Sequence, residues 1–298
     1  MKVPVILDTD IGSDIDDTWA LAMLLRCPEL DLKLVLTDTS NTIYRARVTA
    51  KMLEIAGRID VPVGVGICFA SANEFQLPWV TDYQLEDYPG KVYHDGVQAM
   101  IDLIRQSIEP VTIIGIGPSP NLLKALNIAP DIAKKCRFVG MFGSFERGYG
   151  DNSDPVAETN VREDIEAARS IFAAPWQEIL ITPLDTCDQV ILSGNQYQAI
   201  QESNDPLLRA VMENYRIWSE LVTWVNVDFF NKHTSTLFDT VAVYLAYSTE
   251  YVRMESISAS ITDEGKTVYD PDGSPLQVAL SWRNLTAFKA HLVQRLLG

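Results

Sequence analysis

Cysteine is scarce in this chain: four in 298 residues (Cys27, Cys68, Cys136, Cys187), none of them in a CxxC spacing. They read as reduced, mostly buried thiols of a cytoplasmic protein rather than a disulfide framework. Cationic residues are also few. Lys and Arg number 24 against 40 Asp and Glu, for a formal net charge of −16. That balance argues against holding nucleic acid by its phosphates, and no basic cluster is visible that would hold a strongly anionic ligand. No apolar run is long enough to span a bilayer, so no membrane role is expected. Met1-Lys2-Val3 leads straight into a strand pattern, which leaves no room for a signal peptide. Linkers, repeats and low-complexity tracts are missing too. A hydrophobic content of 47% and a mean hydropathy of +0.03 are those of a soluble globular protein. One domain over 1–298 is expected.

What the chain has in abundance is acid, concentrated at its start. Val3 to Leu7 reads as a buried strand, Gly12 marks a turn, and Trp19 to Leu25 is apolar enough to continue as a helix. Between them stand Asp8, Asp10, Asp14, Asp16 and Asp17. One aspartate there would be a helix cap. Five packed together repel one another unless something positive lies among them. A hard divalent cation held by oxygen ligands is the simplest answer.

Strand and helix signals then alternate. Strands are expected at 32–36, 61–65, 111–116, 137–141 and 178–181, and helices at 43–56, 95–108, 121–129 and 162–172. That rhythm implies an α/β fold, a mainly parallel central sheet flanked by helices. Long helices are expected at 207–224 and 236–247. A small C-terminal hairpin (257–262 and 276–282, around Asp270-Pro-Asp-Gly273) and a helix at 286–297 complete the chain. The segment from Cys68 to Tyr93 breaks the rhythm, and its part from Ala70 to Tyr88, with Phe75, Trp79 and Tyr83, has the length of a functional lid. Ligands of open parallel sheets bind at the carboxyl ends of the strands. Asn41, Ile116-Gly117, the residues from Met141 onward and Asp185 should therefore converge on the acidic loop.

At this point the residues resemble a family. Asp8-Thr-Asp10-Ile-Gly12 with Asp16-Asp17 resembles the acidic signature of the calcium-dependent inosine–uridine nucleoside hydrolases. Ser40-Asn41-Thr42, Ile114 to Asn121, Gly150 to Asn160 with Asp164 to Ala168, Pro183-Leu-Asp185 and Leu237 to Ala242 are similar to further blocks, in the family's order along nearly the whole chain. The resemblance implies a purine or pyrimidine ribonucleoside hydrolase of the nucleoside hydrolase fold, using Ca2+ and working as a dimer or tetramer in nucleoside salvage. It implies that Asp10 is a metal ligand and the general base on bound water, and that Asp17, Asp239 and the Ile116 carbonyl complete the metal site. Asp16 and Asn160 would hold the ribose 2′- and 3′-hydroxyls, Asn152 and Glu158 the 5′-hydroxyl, and Asn41 would lie near the sugar. The chemistry suits these residue types. N-glycosidic cleavage builds positive charge on ribose, which an anionic site stabilises, and amides and carboxylates match vicinal hydroxyls.

Two departures from the family pattern stand out. The acidic loop has two extra residues before Asp16-Asp17, which makes Asp14 a second candidate for either role. Phe238 stands where many members carry a histidine that protonates the departing base. His233 and Tyr or Trp side chains of the 215–230 region are substitute donors, with His94 and His291 behind them. Trp224 and Phe229 are candidate walls for the base, although aromatics at helical spacing around Trp218 fit a buried stripe equally well. Three competing expectations remain: a nucleoside-binding or regulatory protein without turnover, a hydrolase of a modified N-riboside, and a haloacid-dehalogenase-like phosphatase, which the Asn152, Glu158 and Asn160 block disfavours.

Overall fold

A computed structural model of the protein describes residues 2–150, 152, 154–223 and 229–298. The expected alternation is present. β1 (Val3–Thr9) leads to α1 (Asp16–Leu25), β2 (Leu30–Thr37), α2 (Thr42–Ile55), β3 (Val63–Val65) and the short β4 (Val92–Tyr93). α3 (Gly96–Gln106), β5 (Val111–Gly115), α4 (Pro120–Ile128) and β6 (Cys136–Met141) follow. Next come α5 (Thr159–Glu163), α6 (Ile165–Ala173), β7 (Glu178–Thr182), α7 (Leu184–Cys187) and α8 (Gly194–Gln201). The chain continues through α9 (Pro206–Leu221), α10 (Phe229–Lys232) and α11 (Thr240–Leu245) to β8 (Val252–Ile261), β9 (Thr267–Tyr269), β10 (Ser274–Trp282) and α12 (Leu285–Leu297).

The strands form one sheet in the order β4-β3-β2-β1-β5-β6-β7-β10-β8-β9. From β4 to β10 every neighbouring pair is parallel, and only β8 and β9 run against their neighbours. The C-terminal strands are therefore no small appendage, because β10 docks beside β7 and extends the main sheet. Both faces are covered, which explains why the strands read as unbroken apolar runs. Successive residues alternate between two cores. Val5, Leu7, Val35, Ile114 and Val139 face α1, α2, α9, α11 and α12. Ile6, Leu34, Leu36, Ile113 and Phe138 face α3, α4 and α6.

The chain reverses its direction of travel across the sheet at β1, since β2 lies on one side of it and β5 on the other. A crevice opens at the carboxyl ends of the strands at such a point. The acidic loop leaves β1 there. Ile116 follows β5 and Met141 ends β6 at the same edge.

Candidate functional site

The loop from Asp10 to Ile15 is shaped by its neighbours. Gly12 has φ +112, a value that favours glycine, and its Cα packs against the Tyr44 ring. The Tyr44 hydroxyl donates to the Gly12 carbonyl at 2.9 Å and accepts from Gln76 N at 2.9 Å. α1 then starts with Asp16 and Asp17 in its first turn, both buried. Asp239 stands at the N-cap position of α11 but makes no capping hydrogen bond. Its carboxyl turns instead to those of Asp16 and Asp17. Asp16, Asp17 and Asp239 each offer an oxygen, and the three lie within 4.8 Å of one another. Thr9 Oγ1 donates to Asp17 Oδ1.

Residues from both ends of the chain thus present buried carboxylates to a single point. Burial, and then the charges of their acidic neighbours, push Asp16, Asp17 and Asp239 well above the ordinary carboxylate range. Hard oxygen donors that repel each other this strongly are what a divalent cation of the calcium or magnesium type relieves, so the residues present fit such an ion. Asp10 lies beside the trio. Its side chain is partly open to the cavity, and Oδ2 is 3.8 Å from Arg45 Nη2. Burial raises its carboxyl, and the guanidinium opposes that rise. Asp14 also lines the cavity, with Oδ1 accepting from Ile15 N at 2.7 Å, and burial lifts it to about 6.

Above the carboxylates lies a cavity of about 780 Å³. Ile116, Met141, Glu158 and Asn160 line one side. Asn160 Nδ2 donates to the Met141 carbonyl at 3.0 Å and approaches that of Ile116 at 3.5 Å. Glu158 is the N-cap of α5, and its carboxylate accepts from the backbone N–H groups of Gly143, Asn160 and Val161. Desolvation nevertheless raises it to about 7. Phe75, Tyr149, Trp218, Phe229 and Phe238 form an aromatic wall, with Thr234, Ser235 and Thr236 at its foot.

Several expected site residues do not line this cavity. Asn41 caps α2, accepting from Tyr44 N at 3.1 Å and donating to Glu74 Oε1 at 2.9 Å. Asn152 is exposed, with Oδ1 accepting from Asp154 N in a turn. Asp185 accepts from Phe145 N and Glu146 N, bracing the loop after β6. His94 is exposed, and His233 stands behind Phe229 with Nδ1 bonded to the Thr234 carbonyl. His291 is bonded to Tyr247 and lines a different pocket, with Cys27 and Arg295. Trp224 lies outside the described residues. The lid expected at 70–88 is mostly tied down. Arg47 donates to the Tyr83 and Val80 carbonyls, Trp79 is buried under Lys51, and the cavity meets this segment at Ser71 to Asn73 and at Phe75.

Sequence reasoning singled out neither Arg45 nor Asp38, and counted Asp8 only as one of the five clustered acids. Arg45 is buried, and it donates to the carbonyls of Thr39 and Ile11 and to Ser13 Oγ, each within 2.9 Å. Its signal was available: Arg45 shares the buried stripe of α2 with Thr49 and Met52 at helical spacing. Asp8 and Asp38 are buried side by side below the acidic loop. Asn121 Nδ2 donates to Asp8 Oδ1 at 2.7 Å and Ser119 N to Asp38 Oδ2 at 2.9 Å. Thr39, Ser40 and Ser119 hold left-handed backbone angles at the ends of β2 and β5, a strain concentrated around the site.

The raised carboxyls predict an inverted pH response for the metal-free protein. Asp8 and Asp14 move from 3.8 to about 6 and Glu158 from 4.5 to about 7, so the folded state holds protons that the unfolded chain has released. The stability these three groups contribute is therefore full below pH 3.8 and is lost as pH rises through their folded values. In chelator, the Tm should be several degrees higher at about pH 5 than at about pH 7.5. Calcium competes with those protons, so its stabilising shift should be larger at the higher pH. A metal-free Tm that rises over this interval would contradict the geometry.

Comparison with known proteins gives three results. The family model described as inosine-uridine preferring nucleoside hydrolase matches residues 5–291. The non-specific ribonucleoside hydrolase RihC of Escherichia coli O127:H6 (strain E2348/69 / EPEC) is 31% identical over 230 residues, covering 72% of this chain and 73% of that protein. The pyrimidine-specific ribonucleoside hydrolase RihA of Enterobacter sp. (strain 638) is 30% identical over 232 residues, with 72% and 70% covered. Among solved structures, a plant nucleoside hydrolase, PpNRh1, superposes with a TM-score of 0.84 at 20% identity over the full length of both chains, a likeness of fold.

Proposed function

Because the chain belongs to the inosine-uridine preferring nucleoside hydrolase family, we propose that it hydrolyses the N-glycosidic bond of ribonucleosides to ribose and free base. The observation that carries this reading is the meeting of Asp16 and Asp17 with Asp239, more than 200 residues away in sequence, beneath a nucleoside-sized cavity. Asp16, Asp17 and Asp239, with the Ile116 carbonyl nearby, would hold a calcium ion. Such an ion lowers the pKa of bound water and orients it. Asp10, at the edge of the trio and open to the cavity, takes the proton of the attacking water. Asn160, which lines the cavity, would hold ribose hydroxyls. Glu158 spends its oxygens on three N–H groups and so acts by fixing α5, and with it Asn160. As the C1′–N bond breaks, positive charge on the sugar faces this fixed negative field. Phe75, Phe229 and Phe238 enclose the base. Assembly into a dimer or tetramer, and service to base salvage in the cytoplasm, belong to the same reading. Among the described residues no helix is long and apolar enough to cross a membrane.

The test is ribose release from a panel of purine and pyrimidine ribonucleosides, with calcium and then with chelator. Ribose is expected in calcium and should fall to background in chelator. Binding of nucleoside without ribose would replace this reading by a non-catalytic one, and phosphate release from esters would replace it by a phosphatase. Light scattering on the same sample reads the assembly state.

A further inference from the structure

Among the described residues, the aromatic wall of the cavity offers weak acids only. The chain has three histidines, and none lines the cavity. Among the described residues no lysine lines it either, and Arg162 is the one basic side chain that does. The hydroxyl groups there are alcohols and one phenol. That phenol, Tyr149, is bonded to Thr159 and pushed well above its ordinary value by burial. The carboxyl groups belong to the acidic loop, to the first turn of α1, to α5 and its N-cap, and to Asp239. Glu163 lies one helical turn past Asn160 in α5. A neutral purine or pyrimidine leaves as an anion unless it receives a proton, and among the described residues the aromatic wall carries no histidine, lysine or carboxyl group to give one; Glu158, the carboxyl beside Tyr149, has its oxygens engaged by three backbone N–H groups.

The field points the same way. Seven acidic side chains and one guanidinium line the cavity. A bound divalent cation still leaves a negative excess, facing a wall of Phe75, Trp218, Phe229 and Phe238. An anionic chamber with aromatic faces attracts a flat organic cation through charge and through the ring quadrupoles. Ser235 Oγ is buried in this wall without a hydrogen-bond partner among the described residues, and is placed to bond a polar ring substituent.

We propose that the preferred substrates are N-ribosides of a cationic aromatic base, such as a pyridinium or an N7-alkylated purinium. This inference rests on the hydrolase reading and narrows its substrate class. The step balances without an acid. The C1′–N bond breaks and its electron pair stays on the ring nitrogen, which turns the cationic ring neutral. The water oxygen bonds to C1′ and its proton passes to Asp10. One water is consumed, and ribose, neutral base and one proton are released.

The experiment compares kcat/KM for five substrates at mildly acidic pH in calcium: 3-carboxamidopyridinium riboside, N7-methylguanosine, inosine, uridine and p-nitrophenyl β-D-riboside. The last is neutral but carries a leaving group that needs no proton. Both cations should exceed inosine and uridine by at least about a hundredfold, the low side of what a missing general acid costs. Raising ionic strength should lower kcat/KM for the cations and leave inosine unchanged. Inosine or uridine turned over as well as the cations would overturn the inference and leave the hydrolase reading standing. No ribose from any substrate, p-nitrophenyl riboside included, would overturn the hydrolase reading and this one with it. Phe238→His sets an imidazole in the wall. It should shift the neutral-to-cation rate ratio toward inosine by about tenfold or more, and an unchanged ratio in a folded variant would count against a missing proton donor.

Discussion

Asparagine at position 10 should lower kcat for ribose release by roughly four powers of ten, with KM little changed. The Asp10 side chain is partly open to the cavity, whereas Asp16 and Asp17 are almost fully buried. Asp14 is also partly open, but only Asp10 of the two forms an ion pair with Arg45, so Asp10 is the carboxylate proposed to meet the water that attacks the sugar. Its ionisation is a contest. Burial raises the carboxyl, while the guanidinium 3.8 Å away works against the rise and favours the form that can accept a proton. Asn keeps the shape and removes the lone pair that takes the proton, so ground-state binding survives and the transition state does not. Calorimetric titration of calcium on the same variant separates two roles. A base alone leaves affinity unchanged, whereas a ligand that also acts as base weakens it. Near-normal kcat in a folded Asp10→Asn protein would remove Asp10 from the chemistry.

The extent to which this arrangement is legible in sequence follows from where the backbone hydrogen bonds go. Strands between two helical layers are continuous apolar runs, so β1, β2, β5, β6 and β7 stand within two residues of their expected bounds. The helix expected at 236–247 shortens to Thr240–Leu245 because the preceding segment bonds elsewhere: Thr234 N donates to the Leu192 carbonyl and Leu237 N to that of Val190. The helix expected at 162–172 begins earlier and breaks at Asp164, which leaves helical angles to cap Ala167 N. Helices as short as Leu184–Cys187 carry no period to read. In the site, the acidic loop and Asp239 were visible as residue types. The diversion of Asn41 to a helix cap was not, since capping and ligand binding draw on the same amide. Asp16 joins Asp17 and Asp239, although the resemblance assigned it to the sugar, because adjacent residues in the first turn of α1 both reach the N-terminus of α11. Asn152 sits in a turn for which its spacing from Glu158 gives no warning.

Arg45→Met is expected to be the most destabilising substitution around the site, at about 3–5 kcal/mol, the usual loss when one partner of a buried charged network is removed. Methionine keeps most of the volume and the helix propensity, so the loss reports the guanidinium alone. Three acceptors, the carbonyls of Thr39 and Ile11 and the hydroxyl of Ser13, would be left without their donor. Two of the three belong to the acidic loop and the third to the left-handed turn after β2, so one side chain pins both walls of the crevice. The repulsion among the aspartates would also lose its resident counter-charge. That makes the variant more dependent on metal than the parent, and the Tm gain on adding calcium should be larger in Arg45→Met. Arg45→Lys should fall between the two, since an ammonium supplies the charge without the planar fork that reaches three acceptors at once. Urea unfolding of the metal-free proteins reads the difference directly, through midpoints compared at equal m. A methionine variant within about 1 kcal/mol of the parent would mean that the loop holds its shape without the guanidinium. The answer to the crowding of negative charge would then rest with the metal alone.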